Sequence, residues 1–274
     1  MTSFIKKRYF YAAMLLANVM FFLPQLVFAE EASAADIMQK VDKRYTGETS
    51  TSDATLVLID KNDRQRIREL TLFSKETEVV EKSIIYFRTP SDVKNTAYMA
   101  FEWKDEGKED DSWLYLPALQ KVRRVAASDE SGAFMGSDFS YTDINGTDYE
   151  DFNYSLENSS DPVDGQDCWL IKSLPKDDRV IKKTGYTESL SWVRKDNFIV
   201  VKAIIQVKKG KRTKYFTAKD IENIQGVWTA QTLQMITTRK KQREHSSVFK
   251  IRNIQYNKGV DDSMFDTQAM QRGL

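Results

Sequence analysis

The chain has 274 residues, a formal net charge of +1 at pH 7, one histidine and one cysteine. A near-neutral chain does not fit bulk nucleic-acid binding, which depends on neutralising many phosphates with Lys and Arg side chains. A single cysteine excludes an intrachain disulfide, and a single histidine excludes a histidine-ligated metal cluster. We therefore expect no nucleic-acid partner and a core large enough to fold without such cross-links.

The N-terminal segment has the features of a secretory signal peptide. Basic residues at positions 6–8 precede an apolar run at 9–23, and the small-residue stretches VFA and ASA follow. The run is short for a membrane anchor, the alternative, which needs about 20 apolar residues. We predict a signal peptide over residues 1–29, with cleavage as late as Ala34 as a second option. Residues 30–274 are then one domain exported to the periplasm, with a formal charge of −2 or 0.

The stretch SAADIMQKVDKRYTG predicts one amphipathic helix at the start of the mature chain. Ser33 and Asp36 resemble a capping box. Apolar residues recur at helical spacing at Ile37, Met38, Val41 and Tyr45. This apolar stripe must cover another part of the molecule.

From residue 53 onward the apolar pattern changes to a period of two, which indicates β-strands. The strand-like stretches are DATLVLID, QRIRELTLF, KSIIYF, TAYMAFEW, SWLYL, KVRRVA, DCWLIKSL, YTESLSWV, FIVVKAIIQV, TKYFTAKDI, VWTAQTLQMITT and SSVFKIRNIQY. Their connections are short and charged, which favours antiparallel hairpins over parallel crossovers. We predict a mainly β protein of about eleven strands in one antiparallel meander, with helices only at its ends.

Several predicted strands carry an apolar face. One face of TAYMAFEW holds Ala97, Met99, Phe101 and Trp103, and one face of FIVVKAIIQV holds Ile199, Val201, Ala203, Ile205 and Val207. Tyr186, Leu190 and Trp192 are expected to share a side of the strand between them. A filled β-sandwich or barrel core would need this alternation. A curved sheet with a partly filled concave face would need it as well, so both remain open.

The stretch SGAFMGSDFSYTDI, residues 131–144, fits neither a regular helix nor a regular strand. Gly132 and Gly136 do not form a phosphate loop, because no Gly-Lys-Ser/Thr follows them. The nearby carboxylates do not match a calcium loop, since aromatic residues stand where oxygen ligands are needed. We expect a solvated acidic loop formed by Asp138, Asp143, Asp148, Glu150 and Asp151.

The remaining polar features suggest ordinary roles. We expect His245 to lie at the surface and Cys168 to be a buried, unreactive thiol. The basic turns KKGKRTK and RKKQR, with Lys121, Arg123 and Arg124, are expected to be soluble turns. Contact with anionic lipid headgroups or an acidic partner is the alternative for these turns.

Two motifs carry a family resemblance. WLYLPALQKVRR at 113–124 and FMGSDFSY at 134–141 resemble the signature of the LolA-like, or outer-membrane lipoprotein-sorting, proteins of the bacterial periplasm. RYTG, RTPSDVKNTAY, GVWTAQTLQM and IQYNKGVDDSMFDTQAM support the resemblance along most of the chain. It implies an incomplete, strongly curved antiparallel barrel with helices over its concave face and a cavity for acyl chains. It also implies a partner transporter of the resistance-nodulation-division (RND) type.

The resemblance leads to a functional hypothesis. We expect a periplasmic carrier or chaperone, not an enzyme, that binds the acyl chains of a lipid or lipoprotein as a monomer without a cofactor. The alternative is a cargo-free module that docks on an envelope transporter. None of Arg64, Arg66 and Arg68 is assigned a role.

The candidate cargo-binding residues follow from the apolar faces and the motifs. They are Met99, Phe101, Trp103, Trp113, Tyr115, Phe134, Met135, Phe139, Tyr141, Tyr186, Leu190, Trp192, Ile199, Val201 and Ile205. We interpret residues 131–144 as a lid or rim of the cavity, with Asp138 and Ser140 facing water or capping backbone. A fixed plug is the alternative. If the segment is a lid, Phe139→Asp should impair cargo retention more than folding.

Overall fold

A computed structural model describes residues 32–105 and 107–274, and Ser33–Leu274 form one compact unit. The strands are β1 Thr49–Asp60, β2 Gln65–Glu76, β3 Val80–Thr89, β4 Ala97–Trp103, β5 Asp111–Leu116, β6 Lys121–Arg124, β7 Phe152–Asn158, β8 Cys168–Pro175, β9 Tyr186–Arg194, β10 Val200–Val207, β11 Arg212–Ile224, β12 Val227–Arg239 and β13 Gln242–Tyr256. The predicted signal peptide lies outside the described residues. The division of the chain into a leader and one domain therefore stays a prediction.

The strands form a single antiparallel sheet in the order β6-β5-β4-β3-β2-β1-β13-β12-β11-β10-β9-β8-β7. Chain neighbours pair as hairpins except β6 and β7, which form the two edges of the sheet, and β1 pairs with β13, which joins the two ends of the meander. The prediction of a mainly β, single antiparallel sheet is confirmed. The sheet has thirteen strands instead of about eleven.

Strand β7 is the one that the sequence analysis did not identify. Its apolar residues Phe152, Tyr154 and Leu156 alternate along FNYSLEN and are half-buried, whereas the residues between them are exposed. A two-residue period was therefore present. The predicted acidic loop ends at Asp151, and no strand was predicted directly after it.

Four short helices accompany the sheet: α1 Ala34–Asp42, α2 Tyr141–Asn145, α3 Asp178–Thr184 and α4 Thr267–Arg272. The predicted capping box of α1 is present, with Ser33 and Asp36 bonding to each other's backbone N–H. The prediction that helices occur only at the ends of the meander was wrong, because α2 and α3 lie between strands. Asp177 caps the start of α3, and Gly185 ends it at a positive φ of 77°.

The two faces of the sheet bury different apolar clusters. On β3 and β4, Ile85 and Tyr98 join the central cluster, whereas Ile84 and Met99 join a second cluster on the opposite face. Met270 of α4 belongs to that second cluster. The expectation that the helices cover one face of the sheet is therefore wrong for α4.

None of the helices among the described residues has both the length and the apolar character needed to span a bilayer.

Candidate functional site

A cavity of 640 Å³ lies on the face of the sheet that carries the central cluster. Its walls are mostly apolar, and its volume falls within the range of about 300–1,000 Å³ that is usual for small-molecule sites. Helix α1 contributes Met38 and Val41, so the predicted apolar stripe of this helix covers the cavity in part. The main apolar wall residues from the strands are Leu72, Ile85, Ile205, Phe216, Leu233, Met235, Phe249 and Ile251.

The polar part of the lining consists of hydroxyls and carboxylates. The Ser50 and Ser74 hydroxyls, for example, lie 2.7 Å apart and hydrogen-bond to each other across β1 and β2. The lining carboxylates are Asp42, Glu81, Asp143 and Glu188. Among the described residues that line the cavity, none is Lys, Arg or His. The lining therefore offers hydroxyl donors and acceptors, carboxylate acceptors and apolar surface, and the described part of it has no cationic group for a phosphate or carboxylate.

Two of these carboxylates have cationic partners behind the cavity wall. Lys214 Nζ lies 3.1 Å from Asp143 Oδ2, and Lys172 Nζ lies 3.0 Å from Glu188 Oε2. Glu81 has no ion pair within the described part of the chain. Burial raises the pKa of Glu81 above its usual value, and Glu76 adds to this increase.

Residues 131–147, which we call the plug, pack against the same face beside the cavity. Its turn depends on a positive φ at Met135 (48°) and at Gly136 (75°), where glycine is favoured. Phe134 N–H donates to the Phe139 carbonyl at 2.7 Å and closes this turn. Phe134 is fully buried, with the Tyr98 ring 5.3 Å away in an edge-to-face arrangement.

Asp138 anchors the plug to β13. Its carboxylate accepts a hydrogen bond from the Ser247 hydroxyl at 2.7 Å and lies 2.6 Å from His245 Nδ1. Its backbone N–H donates to the same hydroxyl at 2.9 Å. Asp138 is therefore buried and paired, which corrects the expectation that it faces water. His245 is correspondingly part of an internal contact and not an ordinary surface residue.

A second anchor joins α2 to β9 and β11. Tyr186 donates its hydroxyl hydrogen to Asp143 at 2.7 Å, and Lys214 Nζ donates to the Tyr186 oxygen at 2.7 Å. Burial raises the pKa of Tyr186 well above its usual value, and the neighbouring Asp143 carboxylate raises it further. Asp143 also completes a capping box with Ser140 at the start of α2, so the expected backbone-capping role of Ser140 is confirmed.

Further hydrogen bonds tie the plug to β2 and β4. Arg68 Nη1 donates to the Met135 carbonyl, and Tyr98 donates its hydroxyl hydrogen to Asn145 Oδ1 at 2.7 Å. Arg68 is buried, and burial lowers the pKa of its guanidinium. The three sets of anchors favour the fixed plug over the mobile lid.

The structure brings few of the predicted cargo residues to the cavity. Phe139, Tyr186 and Ile205 line it. Phe134, Met135 and Tyr141 pack in the central cluster beside it without lining it. The other nine do not line the cavity: Met99, Phe101, Trp113 and Tyr115 pack with α4 on the opposite face, Trp103 contacts Phe101 and Asp111, and Leu190, Trp192, Ile199 and Val201 form a separate cluster around Cys168.

Two β-bulges explain why Leu190 and Val201 do not line the cavity with Tyr186 and Ile205. Thr187 is an extra residue between the pairs Val207–Tyr186 and Gln206–Glu188, so Tyr186 faces the cavity although Leu190 does not. Val201 is likewise extra in β10, which separates it from Ile205. Each bulge shifts the alternation by one residue. Periodicity alone does not locate such a shift.

Most of the cavity wall consists of residues that are not among the predicted cargo-binding residues. Phe216, Leu233, Met235 and Phe249 lie on strands that were predicted from their two-residue period. Their alternation gave the same signal as the chosen strands. To choose the strand faces that line the cavity, one must know the order of the strands in the sheet.

The other residues singled out in the sequence have structural roles. Cys168 is buried, as predicted, and burial raises the pKa of its thiol. Asp151 is buried and forms an ion pair with Arg179 at 2.5 Å, so it is not part of a solvated acidic loop. Among residues 32–105 and 107–274, no group of three or more His, Cys, Asp or Glu side chains could hold a metal ion.

A solved protein of the DUF1329 family from Desulfovibrio piger is 30% identical to this chain. The match has a TM-score of 0.77 and covers 86% of this chain and 97% of that one. The chain belongs to the DUF1329 family. A family model described as an uncharacterized protein also matches residues 80–272. A comparison with curated proteins found no match.

This DUF1329 protein is also similar to two other solved structures. An outer membrane lipoprotein-sorting protein domain from Vibrio parahaemolyticus matches with 26% identity and a TM-score of 0.77, over 87% of this chain and 98% of that one. A LolA superfamily protein from Nitrosomonas europaea matches with 18% identity and a TM-score of 0.64, over 87% and 99% of the two chains. The predicted LolA-like fold is therefore confirmed. The RND-associated subfamily stays a prediction.

Proposed function

We propose that this DUF1329 protein is a periplasmic carrier that holds an acyl chain of a lipid or lipoprotein in the cavity beside the plug. The observation that carries the proposal is the apolar cavity of 640 Å³, which the fixed plug and α1 leave unfilled. The lipoprotein-sorting name of the Vibrio relative supports a lipidated cargo. The predicted signal peptide supports a periplasmic location.

The energetics suit a carrier that must release its cargo. Each methylene moved from water to an apolar site contributes about 0.8 kcal/mol, so a sixteen-carbon chain offers roughly 12 kcal/mol before costs. Ordering the chain and losing its free translation oppose this gain. Met235 and Phe249 in the wall suit a mobile chain, because a thioether and a flat ring adapt to many chain conformations.

The lining also bears on which part of the cargo enters. Because the described lining has no cationic side chain, a phosphate or carboxylate headgroup would find no cationic partner inside the cavity. We therefore propose that the acyl chain is buried while the headgroup stays at the mouth. An RND-type transporter as the membrane partner rests on the sequence resemblance.

Adjacent residues of β10 provide a matched test of the cavity. Ile205 lines the cavity, whereas Ile204 packs in the cluster around Cys168 on another side of the strand. Ile205→Trp should fill part of the cavity and weaken binding of a fluorescent fatty-acid analogue at least about tenfold, the loss of roughly two methylene contacts. Ile204→Trp should leave the affinity within about twofold of the wild type.

The same binding measurement with the fluorescent fatty-acid analogue also distinguishes the proposed carrier from the cargo-free docking module. Equal weakening by both variants would place the probe outside this cavity and contradict the site. An unmodified protein that binds no acyl probe at all would favour the cargo-free docking module. Circular dichroism of each variant establishes that both are folded before the affinities are compared.

A further inference from the structure

Three charged turns lie at the same end of the sheet. In an antiparallel meander alternate turns share an end, and the turns β1–β2, β12–β13 and β10–β11 belong to six consecutive strands, β2-β1-β13-β12-β11-β10. Their residues are 61–66, 239–243 and 208–211. We call these three turns the basic edge.

The basic edge is dense in exposed cations. Its residues include ten Lys and Arg and a single Asp, Asp63, and all of these are exposed. Arg64 pairs with Asp60, Arg243 pairs with Asp63, and Lys208 lies 3.9 Å from Asp178. The other seven cations of the edge have no ion pair within the described part of the chain. Most of its positive charge is therefore available to a partner.

The opposite end of the sheet, at β2 to β5, carries acids beside lysines. The turn between β4 and β5 carries Asp105, Glu109 and Asp110 together with Lys104 and Lys108, and Glu76 and Glu78 lie at the turn between β2 and β3. The chain has a formal net charge of only +1, yet ten exposed Lys and Arg lie at the basic edge. Attraction of an anionic partner must come from the basic edge, because the net charge is too small to supply it.

The spacing of the turns lets their fields add. Neighbouring strands lie about 4.8 Å apart, so successive turns of the edge are about 10 Å apart and the edge spans about 24 Å. The distance between successive turns equals the Debye length of about 10 Å at 0.1 M salt. A partner that faces the edge therefore meets one broad positive field instead of three separate turns.

We propose that the basic edge docks this protein on a bilayer surface that contains anionic phospholipid. A row of exposed charges on three turns matches a laterally mobile anionic surface, which brings a phosphate to every cation. An acidic protein would need carboxylates fixed in register over the same width. The proposal is independent of the cavity, because no residue of the edge lines it.

Vesicle co-sedimentation of the full protein tests the proposal. The protein should sediment with vesicles of phosphatidylcholine mixed with phosphatidylglycerol and stay in the supernatant with pure phosphatidylcholine. Binding should fall steeply as salt rises, because the charges are exposed. The double variant Lys209→Glu, Lys240→Glu should weaken binding to the anionic vesicles at least about tenfold, because each cation close to an anionic membrane contributes substantially to the affinity.

A control variant of equal charge separates the edge from net charge. Lys43→Glu with Lys258→Glu changes the same number of exposed lysines away from the basic edge and should alter binding less than about twofold. Equal losses in the two variants would overturn the proposal. A wild-type protein that does not bind the anionic vesicles would also overturn it. This holds even if the protein binds a resin that carries an acidic protein. Neither result would bear on whether the cavity holds an acyl chain.

Discussion

At the scale of single residues, Asp138 anchors the plug to β13. It is 6% exposed, and it bonds through both its backbone and its carboxylate to Ser247, with His245 completing the group. A buried carboxylate is costly unless it is paired and hydrogen-bonded. These partners are therefore required for Asp138 to be accommodated in the core.

We predict that Asp138→Ala lowers the free energy of unfolding by about 2–3 kcal/mol, because it removes hydrogen bonds to a charged group. Chemical denaturation of Asp138→Ala, His245→Ala and the double variant measures the coupling. A fixed plug predicts a coupling energy of about 1 kcal/mol or more. Additive effects with little loss of stability would instead support a mobile lid.

Phe139 illustrates how the structure changes an expectation made from the sequence. It lines the cavity, but it is 4% exposed and its ring packs edge-to-face on Phe249 at 6.4 Å. A charge at this position would be buried without a partner. We now expect Phe139→Asp to lose folding stability as well as cargo, so this substitution does not isolate the site as Ile205→Trp does.

At the scale of elements, β3 and β4 place two carboxylates opposite each other. Glu81 and Glu102 are direct cross-strand partners, and both are half-buried. Burial raises the pKa of Glu102 well above its usual value, and Glu81 is the next largest cause. Like charges directly opposite each other destabilise an antiparallel pair.

We predict that Glu102→Gln stabilises the fold at neutral pH by a few tenths to about 1 kcal/mol, because it removes this repulsion. A carboxyl whose pKa is raised by folding binds its proton more tightly in the native state. Its stabilising contribution is therefore full below its usual pKa of 4.5 and is lost as pH rises through the raised value. The gain from Glu102→Gln should accordingly grow from about pH 4.5 towards neutrality.

Thermal unfolding across this pH range measures the effect. Glu78→Gln, an exposed carboxylate at the same end of the sheet, is the control and should change the midpoint little at any pH. A gain for Glu102→Gln that is the same at every pH would contradict the assignment of repulsion between charged forms.

The elements also show what the sequence determines. Twelve of the strands and the capping box of α1 were predictable, since both depend on local periodicity and local hydrogen bonds. The bulges at Thr187 and Val201 were not predictable, because they depend on how two strands pair. The plug anchors at Asp138 and Asp143 were missed for a similar reason, since their partners lie about a hundred or about seventy residues away in sequence.

At the scale of the whole molecule, one sheet carries two separate arrangements. One face holds the apolar cavity beside the plug, and one end of the strands holds the basic edge. The family resemblance predicted the fold and a cavity, whereas nine of the fifteen candidate cargo residues, chosen from apolar strand faces and motifs, lie away from this cavity. Which face holds the cavity depends on the positions of the plug, α1 and α4, and strand periodicity does not contain that information.

The most direct test of the account is lipid mass spectrometry of the protein purified without detergent from its native envelope. We predict a stoichiometric acyl-chain lipid in the wild-type protein, reduced strongly in Ile205→Trp and retained in Ile204→Trp. A wild-type protein that is free of lipid, or equal lipid content in the two variants, would contradict the claim that this cavity holds an acyl chain.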